Sequence, residues 1–546
     1  MTFPENRELL AGIIANAADD PPRLIYADWL EEHGDPHLAE FIRVQCGLAA
    51  GSPADPGHVD LLERRATVLP RLGRRRMEPP LPETVGFYDN LGDEDDTNDS
   101  YYRGLPYFAN EPHDIGDEVV AAQRFRDALP KVIATTPLRG VRFHGYFSRQ
   151  LAIILSSPAA KQLSAISASN SGAGVISRDS LSVQAITASA ATQELRWLEL
   201  DCVDDTADLV ALAKTKALGR MERLDIRWLG GEPAAFKRLL GAGWFQRLRR
   251  VKLGIAAGHS AANAADAVAA LSRLPELHTL TLYDLPIEGA RAFGEVGPFQ
   301  NLGQFFLRHA PLRGEGMAAL AQVQMPRLTD LRLHRSKLHN DELAVLCRSE
   351  LLANLRVLSL EGNEIGDKGV VLLAAHPLAT QLRVLNLENN NVGKKGLGIL
   401  AKAGNFPALT TLNLRAHTKP KLTADDLAQF LATAELPRLR HLDLNSLPVD
   451  DAGAKALAAN PSFSNLRILS LGYGQIGPTG GQALFASPHL QNLVRLELMS
   501  NSMQGKVAAL ADPKVLPQLA ECWLPDDVPA ELKSKLRSAR DTSFIG

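Results

Sequence analysis

Apolar and polar residues alternate along this chain in a unit that returns about every 27 residues. The core of the unit reads L-x-x-L-x-L. It appears as LRWLEL ending at Leu200, MERLDI at Ile226, LRRVKL at Leu253, LHTLTL at Leu282, LGQFFL at Leu307 and LTDLRL at Leu333. It goes on as LRVLSL at Leu360, LRVLNL at Leu387, LTTLNL at Leu414, LRHLDL at Leu444, LRILSL at Leu471 and LVRLEL at Leu498. Successive end points lie 25 to 30 residues apart, most often 27. Weaker copies end at Phe143, near Ala168 and at Leu524. The period-two alternation predicts a short strand in each unit. Behind each strand comes a polar turn and then an amphipathic run, as in NEIGDKGVVLLAA and LPVDDAGAKALAA. Val371, Leu372 and Ala375 fall at helical spacing, and Gly369, Gly396 and Gly453 allow close approach where each helix begins. One unit is therefore a strand, a turn and a helix.

Such a unit cannot bury its leucines alone, so units stack into a solenoid. Strands pack ~4.8 Å apart, while a helix is about 10 Å wide. The strands must line the inside of a curve and the helices its outside. This pattern, from Leu138 to Leu524, resembles the leucine-rich repeat family, and the 27-residue strand–helix unit is similar to its ribonuclease-inhibitor type. The fold class expected is α/β: a curved horseshoe with parallel strands on the concave face, helices on the convex face and a small all-α segment in front.

The front segment, RELLAGIIANAADDPPRLIYADWLEEHGDPHLAEFIRVQCGLAA, reads as three helices. Asp20 is placed to cap a helix starting at Pro21 and Pro22, Gly34 to end it, and Asp35 to cap the next. Leu24, Ile25, Trp29 and Leu30 form one apolar face, and Phe41, Ile42 and Val44 another. The wording PRLIYADWLEEHGDPHLAEFIRVQ resembles the repeat-companion domain at the N-terminus of many planctomycete paralogues, which implies a bacterial lineage and an architecture but no reaction. The expected division is a helical repeat-companion domain at 1–50, a linker and N-terminal cap at 51–137, the repeats at 138–524, and a C-terminal cap and tail at 525–546. Within the linker, YYRGLPYFA can supply an edge strand and GDEVVAAQRFRDALPKVIATT a helix.

One stretch imitates a cofactor site. Gly472, Gly474 and Gly477 spell G-x-G-x-x-G between an apolar run and a helical run, the context of a dinucleotide-binding turn. The repeat absorbs it. Gly472 and Gly474 stand where sister units have Glu361/Asn363 and Glu388/Asn390, and Gly477 stands where they have Gly366 and Gly393. No cofactor is expected.

Composition narrows the partner. The net charge is −3 over 546 residues, without the positive excess of a general nucleic-acid binder. Cys46, Cys202, Cys347 and Cys522 are widely separated and form no C-x-x-C pair, which fits a reducing compartment. The first residues lack the apolar core of a signal peptide, and no apolar run reaches membrane-span length. A cytoplasmic protein is expected.

Asn363, Asn390 and Asn501 follow the last strand leucine by three residues. The family resemblance implies that such asparagines turn inward and bond neighbouring backbone. Ser336, His417, Leu447 and Gly474 stand there in other units, so those turns should be looser. The functional candidates lie on the strand face: Trp228, Tyr283, Phe306, Arg308, Arg332, His334, Arg335, Glu361 and Glu388. Arginine beside aromatics is an interface-anchor composition. The same patch could hold RNA, but Asp330, Glu361 and Glu388 beside it oppose a polyanion. The arginines at 64, 65, 71 and 74–76 form a second basic candidate. The acidic run Asp93–Asp99 lacks the glycine and distal glutamate of an EF-hand loop. Of the histidines, only His309 and His334 are plausible neighbours for a metal, and no spacing pairs a nucleophile with a base. The reading is a non-enzymatic scaffold binding a protein partner on the concave face. The alternative is a regulator of an enzyme, of the nuclease-inhibitor or GTPase-activator type.

Overall fold

In the computed structural model, residues 6–545 are described apart from 17–18, 56, 73–100, 103–104, 107, 111–117, 137, 145–149, 170–179, 256–260, 417–421 and 540–541. The acidic run Asp93–Asp99, the arginines at 74–76 and His417 lie outside the described residues. The chain forms two compact units. One comprises Met1–Val68, Leu72–Gln304 and Val323–Met325, the other Leu69–Arg71, Phe305–Gln322 and Pro326–Gly546.

In the first unit, Phe108–Asn110, Gly140–His144, Ala165–Ser169, Trp197–Val203, Arg223–Leu229, Arg250–Ile255 and Thr279–Tyr283 pair in chain order, all parallel. The edge strand expected from YYRGLPYFA is thus Phe108–Asn110, and the helix behind it is Glu118–Thr135. In the second unit, Gln304–Arg308 neighbours Asp330–His334, from which a parallel series runs through Val357–Ser359 and Val384–Asn386 to Glu521–Trp523. The register never slips there: Leu331, Leu358, Leu385, Leu412 and Leu442 stand side by side. These leucines are fully buried against helices such as Asp367–Ala375 and Asp451–Ala459. The segment expected to be a C-terminal cap and tail adds one more strand: after the helix Ala530–Ala539, Ser543–Ile545 pairs parallel with Glu521–Trp523.

Two side-chain ladders tie one repeat of the second unit to the next. In the first, Asn363 Oδ1 accepts from the backbone N–H groups of Ser336 and Leu338 at 3.0 and 3.1 Å, while Nδ2 donates to Leu333 O at 2.7 Å. Asn390 and Asn501 repeat this, holding Ile365 N and Ile476 N. Two of the turns facing a repeat without the asparagine make a short bond within themselves. Where Ser336 stands, Leu312 N donates to Ala310 O at 2.9 Å; where Gly474 stands, Val449 N donates to Leu447 O at 2.7 Å. The second ladder lies at the helix starts. Asp367 Oδ1 accepts from Gly393 N and Gly396 N, and Asp451 Oδ1 accepts from Gly477 N and Gly480 N. A Cβ on Gly480 would sit 2.5 Å from that carboxylate oxygen, so glycine is required for the approach.

The N-terminal helices are Arg7–Ala15, Pro21–Glu32 and Pro36–Ala50. Asp35 caps the third through Leu38 N at 3.2 Å, and Gly34 takes a left-handed φ of 96° between the second and third. Two expectations fail here. Asp20 makes no side-chain cap bond, because it is itself in helical conformation and offers its backbone carbonyl instead. The predicted apolar face is split: Leu30 is buried with Arg23, Tyr26 and Ala27, whereas Leu24 and Ile25 lie on the exposed side of the helix. Trp29 stacks on His33 at 4.3 Å. Within the first unit these helices are tied to the repeats. Arg139 Nη2 donates to Ile14 O at 2.6 Å, and the turn at Ala54 lies so close to Gly303 that a Cβ there would sit 2.4 Å from Ala54 N.

Candidate functional site

Side chains that alternate with the strand leucines form two ladders on the strand face, and strand spacing presses equivalent residues against each other. The inner ladder is therefore crowded: Asp225 and Thr281 in the first unit, and Ser359, Asn413, Asp443 and Ser470 in the second, are all buried. What this face can present is the outer ladder, together with the way its charges are paired.

In the first unit the face carries an ionic network. Lys252 Nζ lies 3.6 Å from Asp225 Oδ2 and 5.2 Å from the Tyr283 ring centroid. Burial alone would lower the Lys252 pKa, but Asp225, Tyr283 and Glu199 outweigh it and hold the ammonium above its ordinary range. Burial pushes the Asp225 carboxyl up to about 6, against the pull of Lys252. Arg223 stacks its guanidinium 3.7 Å over Trp197. Trp228 is half-buried and pairs in register with Cys202, next to the exposed Arg227. A cleft of about 410 Å³ at the edge of the same unit is lined by Arg196, Arg220, Arg247 and Arg249 among others. Its charges cross-pair between repeats, Arg196 with Glu222 at 3.1 Å and Arg249 with Glu276 at 3.6 Å.

The second unit holds a dense polar cluster. Arg332 grips Asp330 with two bonds, Nε at 3.0 Å and Nη2 at 2.9 Å. His334 Nε2 and Ser359 Oγ share a hydrogen bond of 2.7 Å. Glu361 stands between an imidazole and a guanidinium, Oε2 3.3 Å from His334 Nδ1 and Oε1 3.5 Å from Arg335 Nε. Glu388 accepts from Asn413 Nδ2 at 3.1 Å and faces Arg415 Nε at 3.8 Å. Burial, with the Arg332, Arg308 and Arg335 guanidiniums next to it, pushes the His334 imidazole down to about 3.

The sequence model of the Leucine Rich repeat family matches residues 352–374, 379–401 and 464–485. These are leucine-rich repeats. No curated protein sequence matches the chain. Among solved structures, a chain of the Rad7–Elc1 complex in yeast is similar over 62% of this chain and 88% of its own, at 18% identity and a TM-score of 0.39. An internalin from Listeria monocytogenes is similar over 59% of this chain and 89% of its own, at 16% identity and a TM-score of 0.35. A chain of the TLR13–ssRNA13 complex is similar over 74% of this chain and 55% of its own, at 17% identity and a TM-score of 0.38.

On the leucine-rich repeat strand face, Phe306, Arg308, Arg332, His334, Arg335, Glu361 and Glu388 lie in the second unit, while Trp228 and Tyr283 lie in the first. Phe306 is only 3% exposed and packs edge-on against His334, centroids 4.5 Å apart. It is a wall of the cluster and not an exposed anchor. Arg335, near half exposed, takes that place instead.

Sequence spacing hid one pairing. Ser359 and His334 are 25 residues apart yet bonded, because they hold adjacent ladder positions in adjacent repeats; reading the ladders diagonally would have found them. With Glu361 the three mimic a nucleophile, base and orienting acid. The electrostatics oppose catalysis: Nδ1 has no hydrogen bond to Glu361, and an imidazolium formed there would face three guanidiniums. Among the described residues, no three or more His, Cys, Asp or Glu side chains converge as metal ligands, and no helix is long and apolar enough to cross a membrane.

Proposed function

We propose that this leucine-rich repeat protein is a non-enzymatic scaffold that holds a protein partner on its concave strand face. The observation that carries the reading is the cluster of Arg308, Arg332, His334, Arg335 and Glu361, in which Asp330 holds Arg332 on its own strand while Ser359 and Glu361 of the next repeat hold His334 and Arg335 before any partner arrives. Fixed side chains lose little entropy on binding, which is how a preorganised face gains affinity. Acids interleave with the arginines, which suits a protein surface of mixed charge better than a phosphate backbone. Trp228 and Tyr283 are further candidate contacts, in the first unit.

The ribonuclease-inhibitor type of repeat is supported by the 27-residue period and by a full α-helix behind many of the strands, such as Asp367–Ala375 and Asp451–Ala459. The helices before residue 50 serve as a companion domain, and residues 51–137 and 525–546 cap the repeats. Four free cysteines, three of them buried, fit a reducing cytoplasm.

Photo-crosslinking from single positions tests the reading. A photoreactive residue at 335 or 415 on the strand face should capture the partner in cell extract. The same residue at 371 or 398 on the helix face should not. Capture from the helix face alone would refute the proposal.

A further inference from the structure

The chemistry of the partner can be narrowed beyond its class, and this inference rests on the concave-face reading above. Arg308 ends the strand Gln304–Arg308, and the next residue's N–H donates to His334 O at 3.0 Å, which sets Arg308 beside the following strand. Arg332 and Arg335 belong to that strand and its turn. Three guanidiniums thus meet within two repeats, against the two carboxylates of Asp330 and Glu361.

The surroundings hold these groups in place. Asp330 engages Arg332 through Nε and Nη2. Glu361 engages Arg335 through Nε, and the terminal amino groups of Arg335 carry no bond among the described residues. The stem of Arg335 crosses Gly362, where a Cβ would sit 2.6 Å from Arg335 Cγ, so a glycine in the next turn makes room for it. Burial first, and then the three arginines, disfavour a charged His334, which places all three guanidiniums close to it. Planar guanidiniums so held match the fork of a carboxylate.

We infer that Arg308, Arg332 and Arg335 form a receptor for carboxylate side chains, and that the partner docks an acidic peptide segment there. A nucleic acid is disfavoured, since a continuous phosphate backbone would meet Asp330, Glu361 and then Glu388 on its way across the strands.

The test titrates full-length protein with a fluorescein-labelled oligoglutamate peptide, an oligoglutamine peptide of equal length and an oligouridine. The oligoglutamate binds, weakens with added salt, and loses roughly tenfold or more in affinity with Arg335→Glu. Arg335 is exposed enough for that variant to fold. A double variant, Asp330→Asn with Arg332→Gln, removes a charge pair together and should also weaken binding. Equal binding of oligoglutamine, stronger binding of oligouridine, or indifference to both variants overturns the inference. If oligoglutamate fails while crosslinks from 335 and 415 persist, the acidic segment is wrong and the concave-face reading stands. If the crosslinks fail as well, both are wrong.

Discussion

Asn363 and Leu338 sit in adjacent repeats, and the asparagine carbonyl accepts the leucine N–H at 3.1 Å. The same amide also donates to Leu333 O, Leu360 O and Glu361 O. One buried side chain thereby satisfies backbone groups of two turns, which a buried turn cannot leave unmet.

Asn363→Ala should strand several of these groups at once and destabilise the second unit by about 2–4 kcal/mol. Urea unfolding read by circular dichroism measures this. A loss no larger than that of an ordinary surface substitution would show that the ladder is dispensable.

Paired glycine substitutions separate approach from flexibility. Gly480→Ala forces a Cβ to within 2.5 Å of Asp451 Oδ1 and 2.8 Å of Ile476, and should cost about 1–3 kcal/mol. Gly398→Ala, inside the helix Lys394–Leu400 with nothing within 4 Å, should gain roughly 0.5–1 kcal/mol. Thermal midpoints of the two variants should move in opposite directions.

Acid should weaken the second unit through His334. The folded pKa, pushed to about 3, lies below the unfolded value near 6.5. The unfolded chain therefore takes up the proton first as pH falls. Stability from the neutral imidazole is complete above pH 6.5 and is lost as pH drops toward 3. His441, lowered to about 4 by burial and Arg495, acts in the same direction. His334→Asn should narrow the gap between urea midpoints at pH 7 and pH 4.5, and NMR should find the His334 imidazole still neutral at pH 5.

Much of this fold was legible because stacking repeats the same constraint. Leu358, Leu385 and Leu412 come round every 27 residues, so each strand predicts the next. The glycine motif at Gly472–Gly477 is legible only in that comparison. What escaped the sequence lies between repeats. Ser359 and His334 meet diagonally, Phe306 is buried with its ring against His334, and Asp451 reaches into the following helix. The tail strand Ser543–Ile545 lies past the last L-x-x-L-x-L copy, so no period reveals it. Helix facing failed at Leu24 and Ile25 because a dense apolar run leaves the buried side undecided until Tyr26, Ala27 and Leu30 claim it.

The N-terminal helices should be released from the first unit by a side chain at Gly303. A Cβ there collides with Ala54 N at 2.4 Å and Pro53 C at 2.9 Å. Gly303→Val should raise hydrogen exchange across residues 51–55 while exchange in the strand Thr279–Tyr283 changes little. Unchanged exchange at 51–55 would mean that the contact carries no hold on the turn.

The central claim is that the concave strand face binds the partner, and the affinity of a captured partner for a charge-reversed face tests it most directly. Arg335→Glu with Arg415→Glu alters two partly exposed arginines of the second unit and spares its leucines. Surface plasmon resonance should give a Kd roughly tenfold weaker or more than wild type, with an unchanged circular dichroism spectrum. An unchanged Kd, with binding lost instead on substituting Ile25 and Trp29 of the N-terminal helix, would contradict the account.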